Sequence, residues 1–147
     1  ECVKISSGYV VGGNGSAANI VGVLNGIFYN DASTLKPTFA NFYKATITPA
    51  NSEDTVAFVM DDPFQQYVVS SDAARTQAQF LETYDMNSSA GSDTTGKSSS
   101  TLDTSETGAN NKQFRLIRSA EDPENEDITA AFFSGIVVSN LNSYNQV

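Results

Sequence analysis

The sequence contains no histidine and no tryptophan. Without histidine, the chain lacks the commonest general base, the usual serine-hydrolase triad and the main ligand of zinc sites. Its serines lie in no Gly-x-Ser-x-Gly pattern, and no Gly-x-x-x-x-Gly-Lys or Gly-x-Gly-x-x-Gly motif opens a helix after a strand. The missing tryptophan weakens the case for a sugar-stacking surface, although six tyrosines remain. We therefore expect a protein that is not an enzyme, with no catalytic, cofactor-binding or metal-ligating residues and no cofactor.

Cysteine is nearly absent, since Cys2 is the only one. A single thiol excludes an internal disulfide and a cysteine-ligated metal site, and it is typical of a small buried or frayed residue. Small secreted domains usually depend on disulfides. This chain must therefore have an adequate core or gain stability in an assembly, and its many short strands favour the assembly.

Basic residues and long apolar runs are also scarce. The chain has 8 Lys and Arg against 17 Asp and Glu, a net charge of −9 and a pI near 4.2. Such a surface repels nucleic acid and anionic membranes, so we expect neither as a partner. No apolar run is long enough for a transmembrane helix. The first residues lack an initiator Met and a signal-peptide core, so we expect a processed or truncated chain or numbering that begins inside a longer product.

The sequence does contain a pattern of short predicted β-strands. Its length of 147 residues is typical of one domain, so we predict a single domain over residues 1–147. Residues 20–29 are rich in Val, Ile, Phe and Tyr, and a polar loop separates them from a second apolar stretch. We predict a main hairpin that pairs residues 20–29 with residues 39–48, with a bulge or bend at Asn25-Gly26. The fold class is mainly β, an antiparallel β-barrel or β-sandwich. Further strands are predicted at residues 2–5, 9–11, 55–60, 64–70, 113–118 and 128–138.

Three other segments receive distinct predictions. Residues 72–86 contain good helix formers after Asp72, which can cap a helix, so they are the best candidate for the one short helix that we allow. Residues 87–107 are rich in Ser, Thr, Gly and Asp, with little to bury apart from Leu102. They are interpreted as a flexible loop, or as an extended arm that orders against a neighbouring subunit. Residues 140–147 form a polar C-terminal tail.

Two acidic clusters are candidate sites. Asp61 and Asp62 are adjacent and followed by Pro63, which is typical of a turn, and on a strand they would point to opposite faces. Residues 121–127 carry five carboxylates that could bind calcium through oxygen ligands. They lack the spacing and the central glycine of an EF-hand loop, so a solvated loop between strands is the default interpretation.

Four segments, in this order, carry a resemblance to a known family: residues 20–31, 36–45, 57–67, and 113–118 followed by Pro123-Glu124-Asn125-Glu126. Together they cover under half of the chain. Their order and spacing resemble those of small β-rich capsid-associated virion proteins of marine tailed bacteriophages. The chain departs from the family pattern at two places. It has Tyr43-Lys44 where relatives often have an aromatic–Pro pair, and residues 140–144 lack the histidine that relatives often carry near the C-terminus. Both leave the mode of capsid attachment open.

The resemblance implies a decoration, or cement, protein that stabilises the phage head. Its partner would be the major capsid protein, and its location the outer surface of the virion capsid after assembly in the host cytoplasm. A homo-oligomer is expected, with a trimer favoured because closed symmetry suits local threefold positions between capsomers. The alternative is a glycan- or receptor-binding module of a phage tail or a bacterial surface, which would also be β-rich, acidic and without catalytic residues.

Overall fold

The computed structural model describes residues 1–15, 19–89, 91–105 and 111–144. These residues form nine strands and two short 3-10 helices, and no α-helix lies among them. The strands build two antiparallel sheets, and neither closes into a barrel within the described ranges. The prediction of a mainly β fold is thus confirmed, and the two sheets are consistent with a β-sandwich. No helix in the described part of the chain is long and apolar enough to cross a membrane.

The first sheet is built around its longest strand, which has partners on both edges. Its strands are β1 (Cys2–Ser6), β2 (Tyr9–Gly12), β3 (Gly22–Asn30), β4 (Pro37–Ala40) and β5 (Val56–Met60). β5 pairs with one edge of β3, while β1 and β4 share the other edge, and β2 continues the sheet beyond β1. The register between β3 and β5 shifts between Leu24 and Gly26, which confirms the predicted bulge at Asn25-Gly26.

The predicted extent of the second hairpin arm, residues 39–48, was wrong. β4 ends at Ala40, and residues 41–48 form no strand. The reason is competition for the edge of β3: β1 pairs there with Gly22 and Val23, so a longer β4 would meet an occupied edge. On the opposite edge, β5 pairs with β3 from Val23 to Phe28 of β3.

The second sheet has the order β6-β9-β8-β7. Its strands are β6 (Gln66–Ser70), β7 (Thr83–Tyr84), β8 (Phe114–Ser119) and β9 (Ser134–Ser139). β9 therefore inserts between two strands that precede it in the chain. The strand predicted over residues 128–138 is shorter than expected. Phe132 has a positive φ of 64°, which interrupts an extended backbone before β9 begins.

The helix predicted over residues 72–86 was wrong. The segment contains one 3-10 turn, Gln77–Gln79, and then β7, which pairs with β8. Thr83 and Tyr84 of β7 are fully buried, whereas the helix formers at Gln77–Gln79 are not buried. Burial against the second sheet thus outweighed the helix propensity of a segment whose apolar stripe covered a single turn.

The core lies between the sheets and collects residues from segments far apart in sequence. It comprises Cys2, Ile20, Tyr84, Met86, Leu102, Phe114, Leu116, Phe133 and Val137. Leu102, from the segment interpreted as a loop or arm, forms β-bridges with Ser71 and Met86. In the C-terminal tail, Asn142 is buried and bridges Ile20. Residues 90, 106, 107 and 145–147 of these two segments lie outside the described ranges.

Candidate binding surfaces on the first sheet

The acidic loop uses its carboxylates to fix its own turns. Asp122 accepts hydrogen bonds from the Glu124 N–H and from the Asn125 side-chain amide, and Asp127 accepts them from the N–H and hydroxyl of Thr129. These donors hold the pKa of both carboxyls below the ordinary Asp value of 3.8. Within the described residues, no group of three or more His, Cys, Asp or Glu side chains is arranged to hold a metal ion.

Asp61 and Asp62 occupy a turn, as predicted. The Asp62 carboxylate accepts the N–H of Phe64 at 2.8 Å, and its carbonyl accepts the N–H of Gln65. Asp61 accepts a hydrogen bond from the Tyr144 hydroxyl at 3.2 Å, which raises the pKa of that tyrosine. Each aspartate thus has a separate structural partner, and the two do not form an acid–base pair.

Cys2 lies in the core, which confirms the buried alternative for this residue. Its thiol donates to the Asn14 side-chain oxygen at 2.8 Å. Burial raises the pKa of the thiol to about 12, so the reactive thiolate is scarce at neutral pH. The geometry suits a packing role.

One buried cation escaped the sequence analysis. The guanidinium of Arg75 lies 4.6 Å from the centre of the Tyr84 ring, and Arg75 is almost fully buried. Its Nε and one terminal nitrogen have no hydrogen-bond partner in the described part of the chain, and burial lowers its pKa. The face of Tyr84 supplies a cation–π contact in place of those hydrogen bonds. Nothing in the local sequence distinguishes Arg75 from a surface arginine.

An exposed apolar surface of the first sheet is formed by Phe28, Phe39, Val56 and Phe58, here called the aromatic face. Phe28 lies directly opposite both Phe39 and Val56 in the register, with ring centres of Phe28 and Phe39 4.7 Å apart. The ring of Phe58 stacks 6.2 Å from that of Phe39. Phe39 is 71% exposed, Val56 51% and Phe58 44%. The sequence predicted these residues on strands but gave no sign that this side would stay uncovered.

The same side of the sheet is covered at its other end. Cys2 lies opposite Val23, and both pack in or against the core between the sheets. Side chains along a strand alternate between the two faces, and the bulge at Asn25 keeps Val23 and Phe28 on one face despite their odd separation. The second sheet therefore covers only part of this face and leaves the aromatic end free.

A shallow cavity of about 310 Å³ lies beside the aromatic rings. Its lining includes Phe39, Phe58, Gly26, Asn25 and Asn41. Gly26 has no side chain to fill the space in front of Ala40, whose carbonyl oxygen would lie 3.1 Å from an added Cβ. The cavity thus brings together two aromatic residues and two asparagines, a residue type whose side chain can both donate and accept hydrogen bonds.

The opposite face of the first sheet carries a second concave surface, a groove of about 620 Å³. Val3, Leu24, Ile27 and Ala57 form its floor, and its rim includes Tyr9, Tyr43 and the acidic residues Glu1, Glu53 and Asp54. Comparison of the chain with models of protein families, with curated proteins and with solved structures found no match.

Proposed function

We propose that this protein is a phage head decoration protein, which binds the major capsid protein on the outer shell and stabilises the capsid. The observation that supports the proposal most directly is the aromatic face. The segments that carry the family resemblance, residues 20–31, 36–45 and 57–67, contain most of β3, β4 and β5. Three of the four residues of the aromatic face belong to these segments. The fourth, Val56, directly precedes the third segment.

An uncovered aromatic face suits a docking role. Exposed contiguous apolar surface usually marks an interaction site, and aromatic residues contribute much of the binding energy of protein interfaces. Phe39 and Phe58 project from neighbours of the same central strand, so a partner could bury both rings at once. In this proposal the aromatic face contacts the capsid protein and contributes no chemistry.

We propose that the protein acts as a homo-oligomer, with three copies favoured. Local threefold positions between capsomers match a trimer, and three linked contacts with the shell bind far more tightly than one. The expected location is the virion surface, reached after assembly in the host cytoplasm.

The test uses purified protein and phage heads that lack it. A Phe39→Ser, Phe58→Ser double variant should bind heads at least about tenfold more weakly in co-sedimentation, because burying one such ring contributes about 1.5–3 kcal/mol. The matched control is Phe64→Ser, Phe132→Ser, which removes two rings that are 79% and 60% exposed but lie outside the aromatic face. This control should bind like the wild type, and circular dichroism should show both variants folded.

Heads without the protein should form but burst sooner on heating or at low salt, where packaged DNA repels itself most strongly. Equal robustness of heads with and without the protein, together with no binding of the purified protein, would refute the proposal.

The alternative is a glycan- or receptor-binding module of a phage tail or a bacterial surface. It is favoured by the cavity beside Gly26, where the rings of Phe39 and Phe58 and the amides of Asn25 and Asn41 offer both a stacking surface and hydrogen bonds to a sugar. Copy number separates the two functions, since a shell protein is present in hundreds of copies per particle and a tail module in a few. If particles that lack the protein are as robust as the wild type but fail to attach to host cells, the alternative is established.

A further inference from the structure

The groove opposite the aromatic face extends beyond its main lobe. A smaller cavity of about 180 Å³ shares Glu1, Leu24 and Tyr43 with the 620 Å³ lobe and adds Phe42 and Asp93 to the lining. The shared residues place the two cavities next to each other, and together they are here called the acidic groove. An extended ligand could therefore run through both lobes.

The rim of the acidic groove carries four acidic side chains, and Lys44 Nζ lies 5.1 Å from the centre of the Phe42 ring in the smaller lobe. Glu1, Glu53 and Asp54 line the main lobe and Asp93 lines the smaller one, and all four are exposed. Neither lobe has a Lys or Arg among its described lining residues. Glu53 accepts one hydrogen bond from the Asn30 amide at 2.9 Å through Oε2. Within the part of the chain that the structure describes, none of the four carboxylates forms an ion pair.

The floor of the acidic groove is apolar. Ile27 and Ala57 lie opposite each other in the register of β3 and β5, and Val3 and Leu24 continue the same face. Two tyrosines stand at the sides, with Tyr9 62% exposed and Tyr43 56% exposed. Aromatic faces beside carboxylates attract cations by cation–π and Coulomb interactions. Val3 and Ile27 are almost fully buried, so among these four residues the accessible apolar contact comes from the half-buried Leu24 and Ala57, and cation-binding groups lie at the rim.

From this combination we infer that the acidic groove binds an extended basic segment of a partner protein, in which Lys or Arg residues alternate with apolar residues. In an extended segment alternate side chains point to opposite sides, so apolar residues can face the floor while the cations reach the carboxylates and tyrosines at the rim. The inference concerns the face opposite the aromatic face and does not depend on the proposed function.

The experiment measures fluorescence anisotropy of a labelled peptide of alternating Lys and Val with the whole protein. A Glu53→Gln, Asp54→Asn double variant should weaken binding about threefold to tenfold, since exposed charge pairs each contribute modestly. The matched control is Glu124→Gln, Glu126→Gln, which removes the same charge from the exposed acidic loop. It should change the affinity less than about twofold. Tyr43→Ala should also weaken binding, whereas Phe64→Ala should not.

Two further peptides test the floor and the sign of the charge. A peptide with Ser in place of Val should bind more weakly because it loses contact with the apolar floor, and one with Glu in place of Lys should not bind. Equal weakening by both double variants would mean diffuse attraction to an acidic protein and would overturn the inference. Equal affinity of the Lys/Ser and Lys/Val peptides, or the absence of saturable binding, would overturn it as well.

Discussion

At the scale of single residues, Gln113 illustrates how one buried amide joins distant parts of the chain. Gln113 is fully buried. Its side-chain oxygen accepts the N–H of Met86 at 3.1 Å, its side-chain nitrogen donates to the carbonyl of Gly13, and its own N–H donates to Asp85. The side chain therefore satisfies one donor and one acceptor that have no access to water. An unsatisfied buried polar group costs far more than a hydrogen bond gains.

We expect Gln113→Ala to lower the free energy of unfolding by about 3 kcal/mol, because it leaves the Met86 N–H and the Gly13 carbonyl without their partner. The matched control is Gln65→Ala, since the Gln65 amide donates at the surface to the carbonyl of the next residue. That control should shift the free energy by less than about 0.5 kcal/mol. Urea unfolding followed by circular dichroism measures both, and similar values for the two variants would contradict the role given to Gln113.

At the scale of elements, β3 organises the first sheet because three other strands pair with it. Close backbone approach makes this crowding possible. A Cβ on Gly22 would overlap the carbonyl oxygen of Met60 in β5 and lie 2.8 Å from its carbonyl carbon. Only backbone atoms are involved, so no flexible side chain can yield. Gly22 is thus needed for space at the point where β3 has neighbours on both edges.

Gly22→Ala should therefore destabilise the protein by at least about 2 kcal/mol, because the two strands must separate to admit the methyl group. Gly12→Ala in β2 provides the control, since a Cβ there meets no atom within 4 Å. It should stay within about 0.5 kcal/mol of the wild type. Denaturant midpoints of the two variants give the comparison, and a Gly22→Ala variant as stable as Gly12→Ala would show that β3 and β5 are not packed so closely.

At the scale of the whole molecule, acidic residues serve as turn caps in separate parts of the fold. Asp31 in the β3–β4 connection accepts the N–H groups of Ser33 and Thr34 and the Ser33 hydroxyl. The Ser33 hydroxyl, followed by these N–H groups, lowers the pKa of Asp31, as similar donors lower that of Asp122 and Asp127. The net charge of −9 thus includes carboxylates that help to hold turns.

These lowered pKa values predict how stability depends on pH. Each carboxylate binds protons less readily in the folded state, so its stabilising contribution is present above the ordinary value of 3.8 and disappears as the pH falls through the lower folded value. We compare the wild type with an Asp31→Asn, Asp122→Asn, Asp127→Asn variant. Below about pH 4 the free energy of unfolding of the wild type should fall relative to that of the variant. Carboxyl NMR titration should place all three pKa values below 3.8. Values at or above 3.8 would contradict this account.

The sequence by itself determined the local features of this protein. Period-2 runs of β-formers marked strands such as β1, β5 and β8, Asp62 with Pro63 marked a turn, and Asn25-Gly26 marked the bulge in β3. These features depend on side-chain alternation and on the backbone preferences of a few adjacent residues, so a short window contains the information.

Only the tertiary structure decided which strands pair and which surfaces stay open. β3 pairs with β1 and β4 along one edge and with β5 along the other, and the segment with Tyr84 became a strand because the second sheet buries it. Leu102 reaches the core from a polar segment for the same reason. The aromatic face and the acidic groove likewise arise where residues of several strands meet, and the extent to which one sheet covers another depends on contacts between residues far apart in the chain.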